Sequence, residues 1–539
     1  MPTSAEYARR VLEDRSLASL FPTSLAAVPG VRPEANPAVM LIDGRVRRVE
    51  AADAVTPIYS KVGVRDGEGI APVLLGYEPK LGKEHAAEAL AAAERAWANG
   101  SGAWPTAPLE TRIAAIERFG ALVQAQLDGV ATLLQLEIGK PVAAARAEVT
   151  RSLAYITETI AAARRIGEGT SFTGVNGTVT HHAREHARPL GLVLCVAPFN
   201  YPINEFLTTI IPALLAGNVV LAKTPRFGVL ANQLLAGAFA EAFPPGVVAL
   251  LPGDGRIVLP ALIAASTNDL FGQPMGAIDV LAFIGSEGAA NAILKGHPTP
   301  SFIHKILGLG AKNAAVVLPG ADPAAVAPKL AKGSLGFNGQ RCTAEKLIFV
   351  PEGAEGDAHV AALAGKIAAL PLGMPWDPAA AITPLPEANK LEAMWALVTD
   401  ATAKGARIVN DGGGRGFYSI MRPAVLDGVA EGMRVFHEEQ FGPVVPIARY
   451  RDLEEVIQWH RDSPYGQQAG IHGPGARDLV AALAPFNARI NLDDVCQRGP
   501  DTFGFTAADK SGFGTLSIEA ALRSFSRTVI VQSPNEQAL

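Results

Sequence analysis

Between residues 191 and 284 four unbroken apolar runs alternate with helix-forming stretches, and that alternation leaves few folds open. Residues 191–197, 218–223, 247–251 and 280–284 read as strands, with helices over 202–216 and 229–243. A strand with no polar alternation is buried on both faces, as in a parallel sheet covered by helices. Residues 267–275 read as a loop inserted before the fourth strand. The pattern restarts beyond Ser286: strand 313–318, helix 322–337, strand 346–350, helices 358–370 and 386–403, and strand 406–409. The chain is therefore α/β, with two such units. The first 72 residues mix short apolar pieces with Pro and Gly and read as an arm carrying a few strands, such as 38–42. Helices precede the first sheet over 83–97, 109–127, 129–137 and 142–166. At 172–188 the Asn176-Gly177 pair among β-branched residues predicts a hairpin. It is a solvent-facing ribbon or a subunit-contact arm, and the strand 527–532 could pair with it within this chain or across to another.

With 539 residues the chain is long enough for two or three domains. A net charge of -5 with 18% charged residues offers no basic face for a polyanion, so nucleic-acid binding is not expected. The three cysteines, Cys195, Cys342 and Cys496, are far apart and form no CxxC, which argues against a disulfide framework or a zinc cluster and fits a reducing cytoplasm. Residues 1–20 read as a polar helix-like segment without an apolar leader, and the run 207–223 is broken by Pro212, Gly217 and Asn218, so no membrane span is expected.

The chemistry concentrates in residues 335–346, Leu-Gly-Phe-Asn-Gly-Gln-Arg-Cys-Thr-Ala-Glu-Lys. Cys342 follows Arg341 and the turn-prone Asn338-Gly339. A partly exposed thiol beside a fixed positive charge favours the thiolate, the reactive form, whereas an ordinary buried cysteine would not be flanked by polar groups. Pro198-Phe199-Asn200-Tyr201-Pro202 ends the first strand, where the Asn200 amide can donate to a developing oxyanion; a plain turn asparagine is the alternative. Lys223-Thr224-Pro225-Arg226 follows the second strand, at the sheet edge where α/β folds bind ligands. With two cations and no carboxylate there, a 2′-phosphate is favoured, hence NADP over NAD. Gly285-Ser286 opens a helix after the fourth strand and suits a pyrophosphate, although a simple turn reads the same way.

These motifs, with Glu438-Glu439-Gln440-Phe441-Gly442-Pro443 and Lys510-Ser511-Gly512, resemble the aldehyde dehydrogenase superfamily from about Pro72 to Val531. Tyr201, the Gln340-Arg341 pair and Gln497-Arg498-Gly499-Pro500-Asp501 are similar to the NADP-dependent non-phosphorylating glyceraldehyde-3-phosphate dehydrogenase branch. The resemblance implies a Rossmann-type NADP-binding domain (51–170 and 190–305) after an N-terminal arm (1–50). It also implies a second α/β catalytic domain (306–500) and a β-hairpin oligomerisation arm (171–189 with 515–539), in a homodimer or homotetramer. It implies Cys342 as nucleophile and Asn200 as oxyanion donor. Pro198, Lys223, Pro225, Arg226, Gly285, Ser286, Glu439 and Phe441 would line the cofactor. Arg151, Tyr201, Arg341 and Arg498 would hold a substrate phosphate, Phe505 would wall the aldehyde pocket, and no metal is implied.

One departure bears on mechanism. Where hydrolytic members carry Glu-Leu-Gly-Gly-Lys, this chain has Gly308-Leu309-Gly310-Ala311-Lys312, and residues 298–312 contain no acid. The implied chemistry, aldehyde to carboxylate through a thiohemiacetal and a thioester on Cys342, thus lacks its usual base for water. Two alternatives stand beside it: a coenzyme A-acylating semialdehyde dehydrogenase, and an NADP-binding protein without turnover.

Overall fold

A computed structural model describes residues 13–32, 34–167, 169–268 and 271–539. An eight-stranded sheet carries the first unit, in the order Arg45–Val49, Ala38–Ile42, Val248–Leu251, Val219–Lys223, Leu192–Val196, Val280–Ile284, His304–Gly308 and Gly512–Phe513. The five strands from Val248–Leu251 to His304–Gly308 are parallel, and antiparallel strands close both edges. In the first four of these the side chains are nearly all buried, which explains the unbroken apolar runs. From Leu192–Val196 the chain winds outward to Val248–Leu251 and then returns to the opposite flank with Val280–Ile284. The strand order therefore reverses beside Leu192–Val196, and a crevice opens there at the carboxyl ends of the strands. The Pro198–Pro202 loop and the Gly285-Ser286 turn both emerge at that point.

A seven-stranded sheet forms the second unit, with Ala314–Val317 flanked by Leu347–Pro351 and Gln468–His472. The helix Pro323–Leu335 connects its first two strands and runs into a 3-10 turn, Gly336–Gly339. The third sheet pairs Thr170–Asn176, Val179–Pro189 and Ser526–Ser533, so the C-terminal strand joins the hairpin of its own chain.

Three details differ from the sequence reading. Ala38–Ile42 and Arg45–Val49 belong to the main sheet rather than to a detached arm; all five residues of Ala38–Ile42 are buried. Residues 1–12, expected to be helical with 13–20, lie outside the described residues, and Arg15–Leu20 is 3-10. The insertion near 267–275 closes on itself through Ser266–Asn268 and Pro274–Gly276. Among the described residues no helix is long and apolar enough to cross a membrane.

Candidate active site

Backbone geometry delivers Cys342 to the crevice. Phe337 and Asn338 adopt left-handed conformations, φ 51° and 55°. The buried Asn338 amide pins the turn, donating to the Thr383 carbonyl at 3.0 Å while its oxygen accepts from the Thr383 N–H at 3.0 Å. Gly339 follows at φ 75°, where a Cβ would lie 2.6 Å from the Gly442 carbonyl oxygen, so only glycine fits. The Cys342 carbonyl then accepts from Asn313 Nδ2 at 2.9 Å and Lys346 Nζ at 2.6 Å. Two donors thereby hold the Cys342 carbonyl.

Asn200 is brought to the same place. Its Nδ2 donates to the Gln340 carbonyl at 2.9 Å, which ties the loop after the first strand to the turn before Cys342. Beneath it lies a fully buried ion pair, Lys140 with Glu148. Lys140 Nζ also donates to the Asn200 carbonyl at 2.8 Å and sits 3.6 Å over the Tyr201 ring. Glu148 Oε1 accepts from the N–H groups of Ile203 and Asn204 at 2.9 and 3.1 Å. Burial lowers the Lys140 ammonium pKa, and the Glu148 carboxylate opposes that shift. No sequence signal singled out Lys140, which lies between the expected helices 129–137 and 142–166.

The expectation that Arg341 favours the Cys342 thiolate is not met. Arg341 turns away and donates to the Gly333 carbonyl at 2.7 Å. Cys342 is partly exposed but packs against the apolar core, and burial pushes its thiol up to about 11. The Glu205 carboxylate adds to that rise, whereas Lys346 and Arg498 pull the other way. Tyr201 is similarly pushed up to about 12 by burial, with Arg341 and Arg151 both close enough to oppose it.

Arg151 and Arg498 meet at Asp501, whereas Arg341 is held apart on the Gly333 carbonyl, and the first two already have acid partners. Arg151 makes a bidentate pair with Asp501, at 2.8 and 2.7 Å. Arg498 is 4% exposed, and its Nη1 is paired with Glu205 Oε2. The Nε and Nη2 of Arg498 are buried without a hydrogen bond, although Asp501 stands 3.5 Å from Nε. Phe505, buried, lies under that guanidinium with its ring centre 4.9 Å away. Glu205 escaped the sequence reading; its one signal was an acid opening an otherwise apolar helix.

Around the crevice, Glu439 Oε1 pairs with Lys346 Nζ at 2.9 Å and accepts from the Ala311 N–H at 3.2 Å. The buried Lys312 holds the segment in front of it, donating to the carbonyls of Val435 and Glu438 and to Gln440 Oε1 at 2.7–2.8 Å. Phe441 has φ 45°, and its ring meets Phe199, beside Pro198, at 5.7 Å. Ser286 caps the helix Glu287–Gly296, and the Gly285 N–H donates to the Gly308 carbonyl at 2.9 Å.

At the second strand the sequence reading needs correction. Lys223 is buried and donates to the Thr224 carbonyl at 2.6 Å, and carboxylates do stand near it, Glu78 and Asp254. Burial brings its ammonium down to about 8 against the pull of both acids. Glu78 comes from residues 74–79, far away in the chain, which is why the local sequence hid it. Arg226, beyond Pro225, remains exposed. Thr224 Oγ1 is buried and has no hydrogen-bond partner.

The model of the aldehyde dehydrogenase family matches residues 72–531. The NADP-dependent glyceraldehyde-3-phosphate dehydrogenase of Streptococcus equinus is 32% identical over 456 residues, covering 83% of this chain and 90% of that protein. The enzyme of the same description from Pisum sativum is 30% identical over 447 residues, covering 80% and 85%. The crystal structure of NADP-dependent glyceraldehyde-3-phosphate dehydrogenase from Bacillus halodurans, complexed with NADP, superposes with a TM-score of 0.82 at 29% identity, covering 92% of this chain and 99% of that one. A family match this long, over the stretch that contains six of the eight strands of the first sheet, the whole of the second, and both Asn200 and Cys342, settles the membership: the chain belongs to the aldehyde dehydrogenase family.

Proposed function

We propose that this protein oxidises an aldehyde carrying an anionic group, glyceraldehyde 3-phosphate or a similar compound, to the carboxylate, with NADP as the acceptor. The observation that carries the reading is the tether of the Asn200 amide to the Gln340 carbonyl, two residues before Cys342. It holds an oxyanion donor and a nucleophile together across the crevice where α/β sheets bind nucleotides. The relatives described as NADP-dependent glyceraldehyde-3-phosphate dehydrogenases support the choice of cofactor and substrate.

The residues present suit NADP. The unpartnered Thr224 hydroxyl and the Lys223 ammonium would meet the adenine ribose. Because Lys223 is already answered by Glu78 and Asp254, the exposed Arg226 is the cation for a 2′-phosphate. Pro198, Pro225, Gly285, Ser286, Glu439 and Phe441 would line the remainder. When bound, the nicotinamide supplies a two-electron acceptor. Cys342 adds to the aldehyde carbon, the Asn200 N–H steadies the oxyanion, and the acyl group is left as a thioester on sulfur. The buried Nε–Nη2 edge of Arg498, which has no hydrogen bond, would receive the substrate anion, with Arg151 and Tyr201 near it, Phe505 as the apolar wall, and Arg341 joining only on leaving the Gly333 carbonyl.

Gly308 favours a second reading, acyl transfer to coenzyme A, because it supplies no base for water. NADPH formation from glyceraldehyde 3-phosphate and from propanal, with and without coenzyme A, separates the two. Steady turnover without coenzyme A supports hydrolysis. A single burst that becomes catalytic only on its addition supports acylation, and no NADPH from any aldehyde defeats both.

A further inference from the structure

Resting on the proposed aldehyde oxidation, we infer that Lys346 is a positioning residue. Its single ammonium sets the spacing between Glu439, the carboxylate that would meet a hydroxyl of the cofactor, and Cys342, the nucleophile. Lys346 Nζ donates to the Cys342 carbonyl at 2.6 Å and pairs with Glu439 Oε1 at 2.9 Å. Among the described residues no other side chain hydrogen-bonds to both. Asn313 holds the Cys342 carbonyl but not the acid, and Lys312 holds the backbone and Gln440 side chain around the acid but not the cysteine. The lysine side chain is 1% exposed and that of Glu439 is 20% exposed, so the link is closed to water at the lysine and open at the acid.

The ammonium is the fixed member of the pair. Lys346 donates its backbone N–H to the Asn313 carbonyl at 2.8 Å, and its own carbonyl accepts from Gln440 Nε2 at 3.0 Å. It directly precedes the buried strand Leu347–Pro351. Glu439, by contrast, sits in the irregular segment between the helix Arg434–His437 and the strand Val444–Tyr450. Apart from Lys346, its carboxylate accepts only the Ala311 N–H, at the longer distance of 3.2 Å. Oε2 accepts no hydrogen bond from the described residues and lies against Gly310, where a Cβ would stand only 2.9 Å from it. A ribose hydroxyl can therefore donate to Oε2 while Oε1 stays on the lysine.

A buried ion pair adds little net stability once both charges have left water. What this one supplies is geometry. The carbon carried by Cys342 must lie within transfer distance of the nicotinamide. An error in the Cys342–Glu439 spacing becomes an error in that distance, and about 1 Å is enough to cost on the order of 10²-fold.

The test compares full-length wild type, Lys346→Met, Glu439→Gln and the double variant. The readouts are fluorescence titration with NADP, NADPH formation from propanal and from propanal deuterated at its aldehyde carbon, and iodoacetamide labelling. Lys346→Met binds NADP about tenfold more weakly, the worth of a hydrogen bond to a charged group. Its kcat falls about 10²-fold and the deuterium isotope effect on kcat rises, because transfer across a misset gap becomes the slow step. Labelling still reaches Cys342, more slowly at neutral pH because a charge that favours its thiolate is gone, while the buried Cys195 and Cys496 stay unlabelled. In the double variant the loss falls short of the product of the single losses, because both changes break one link. Lys346→Gln, which keeps donors without the charge, repeats the comparison should Lys346→Met unfold. The inference fails if NADP affinity and kcat stay within about twofold of wild type, if the isotope effect does not rise, or if the two losses multiply. Labelling of Cys195 and Cys496 in both lysine variants also defeats it, as the mark of a purely structural lysine. A wild type that binds NADP yet forms no NADPH would instead sink the proposed function, and the NADP titrations of the variants would still decide the role of Lys346.

Discussion

Lys140 and Glu148 form an ion pair from which solvent is wholly excluded, and the same ammonium donates to the Asn200 carbonyl at 2.8 Å. A buried charge is tolerated only when its partner and hydrogen bonds are complete, so the pair acts as the footing of the Pro198–Pro202 loop. Lys140→Met leaves Glu148 uncompensated and should destabilise the fold by roughly 3–5 kcal/mol. Adding Glu148→Gln should recover part of that loss, though not the activity, since the loop's anchor is still missing. Guanidinium denaturation midpoints alongside NADPH formation check both halves.

Removing the Asn200 amide should act on the transition state more than on binding. Asn200→Ala is expected to lower kcat about 10²–10³-fold with a small change in KM, the size found for losing one oxyanion donor. Steady-state kinetics with propanal, which lacks a phosphate, isolate this effect from the arginine pocket.

The Cys342 thiol, pushed up to about 11 mainly by burial, sets the pH response of the free protein. A raised thiol pKa means less thiolate at any given pH, so alkylation must accelerate as pH rises. Between pH 6 and 9 labelling by iodoacetamide should increase about tenfold per pH unit, since only the thiolate reacts. A plateau near neutrality, read by mass spectrometry of the Cys342 peptide with Cys342→Ser as control, would contradict this burial-dominated picture.

Cofactor preference should depend on the exposed cation more than on the buried one. Arg226→Ser is expected to reduce kcat/KM for NADP roughly 10–100-fold, the worth of a charge-assisted hydrogen bond, while leaving NAD nearly untouched. Lys223→Met should weaken both cofactors alike, because its ammonium is neutralised by Glu78 and Asp254 before any phosphate arrives. Parallel titrations with the two nucleotides distinguish these outcomes.

Local order was written plainly in the chain. The apolar runs 191–197, 218–223, 247–251 and 280–284 could be read as buried parallel strands, because a strand covered on both faces shows no alternation. The hairpin at Asn176-Gly177 and the turn before Cys342 were legible for the same local reason: few residues accept those backbone angles. Cys342, Asn200, Glu439 and the arginines could be named as candidates because their motifs are contiguous.

Partnership was not legible, since an ion pair depends on distance in space and carries no mark in either residue's neighbourhood. Glu78 beside Lys223, Asp501 on Arg151 and Glu205 on Arg498 join segments far apart in the chain. Those contacts decided which cations stay open to a ligand. Burial decided the thiol: the adjacent Arg341 suggested a thiolate, and only the packed fold turns that guanidinium toward Gly333 and encloses the sulfur among apolar side chains. Sequence alone set which chemistry-bearing residues lie at the strand ends, through periodicity and turn preference. Tertiary packing alone set their charge state and availability, because desolvation and long-range pairing arise only once the two sheets meet.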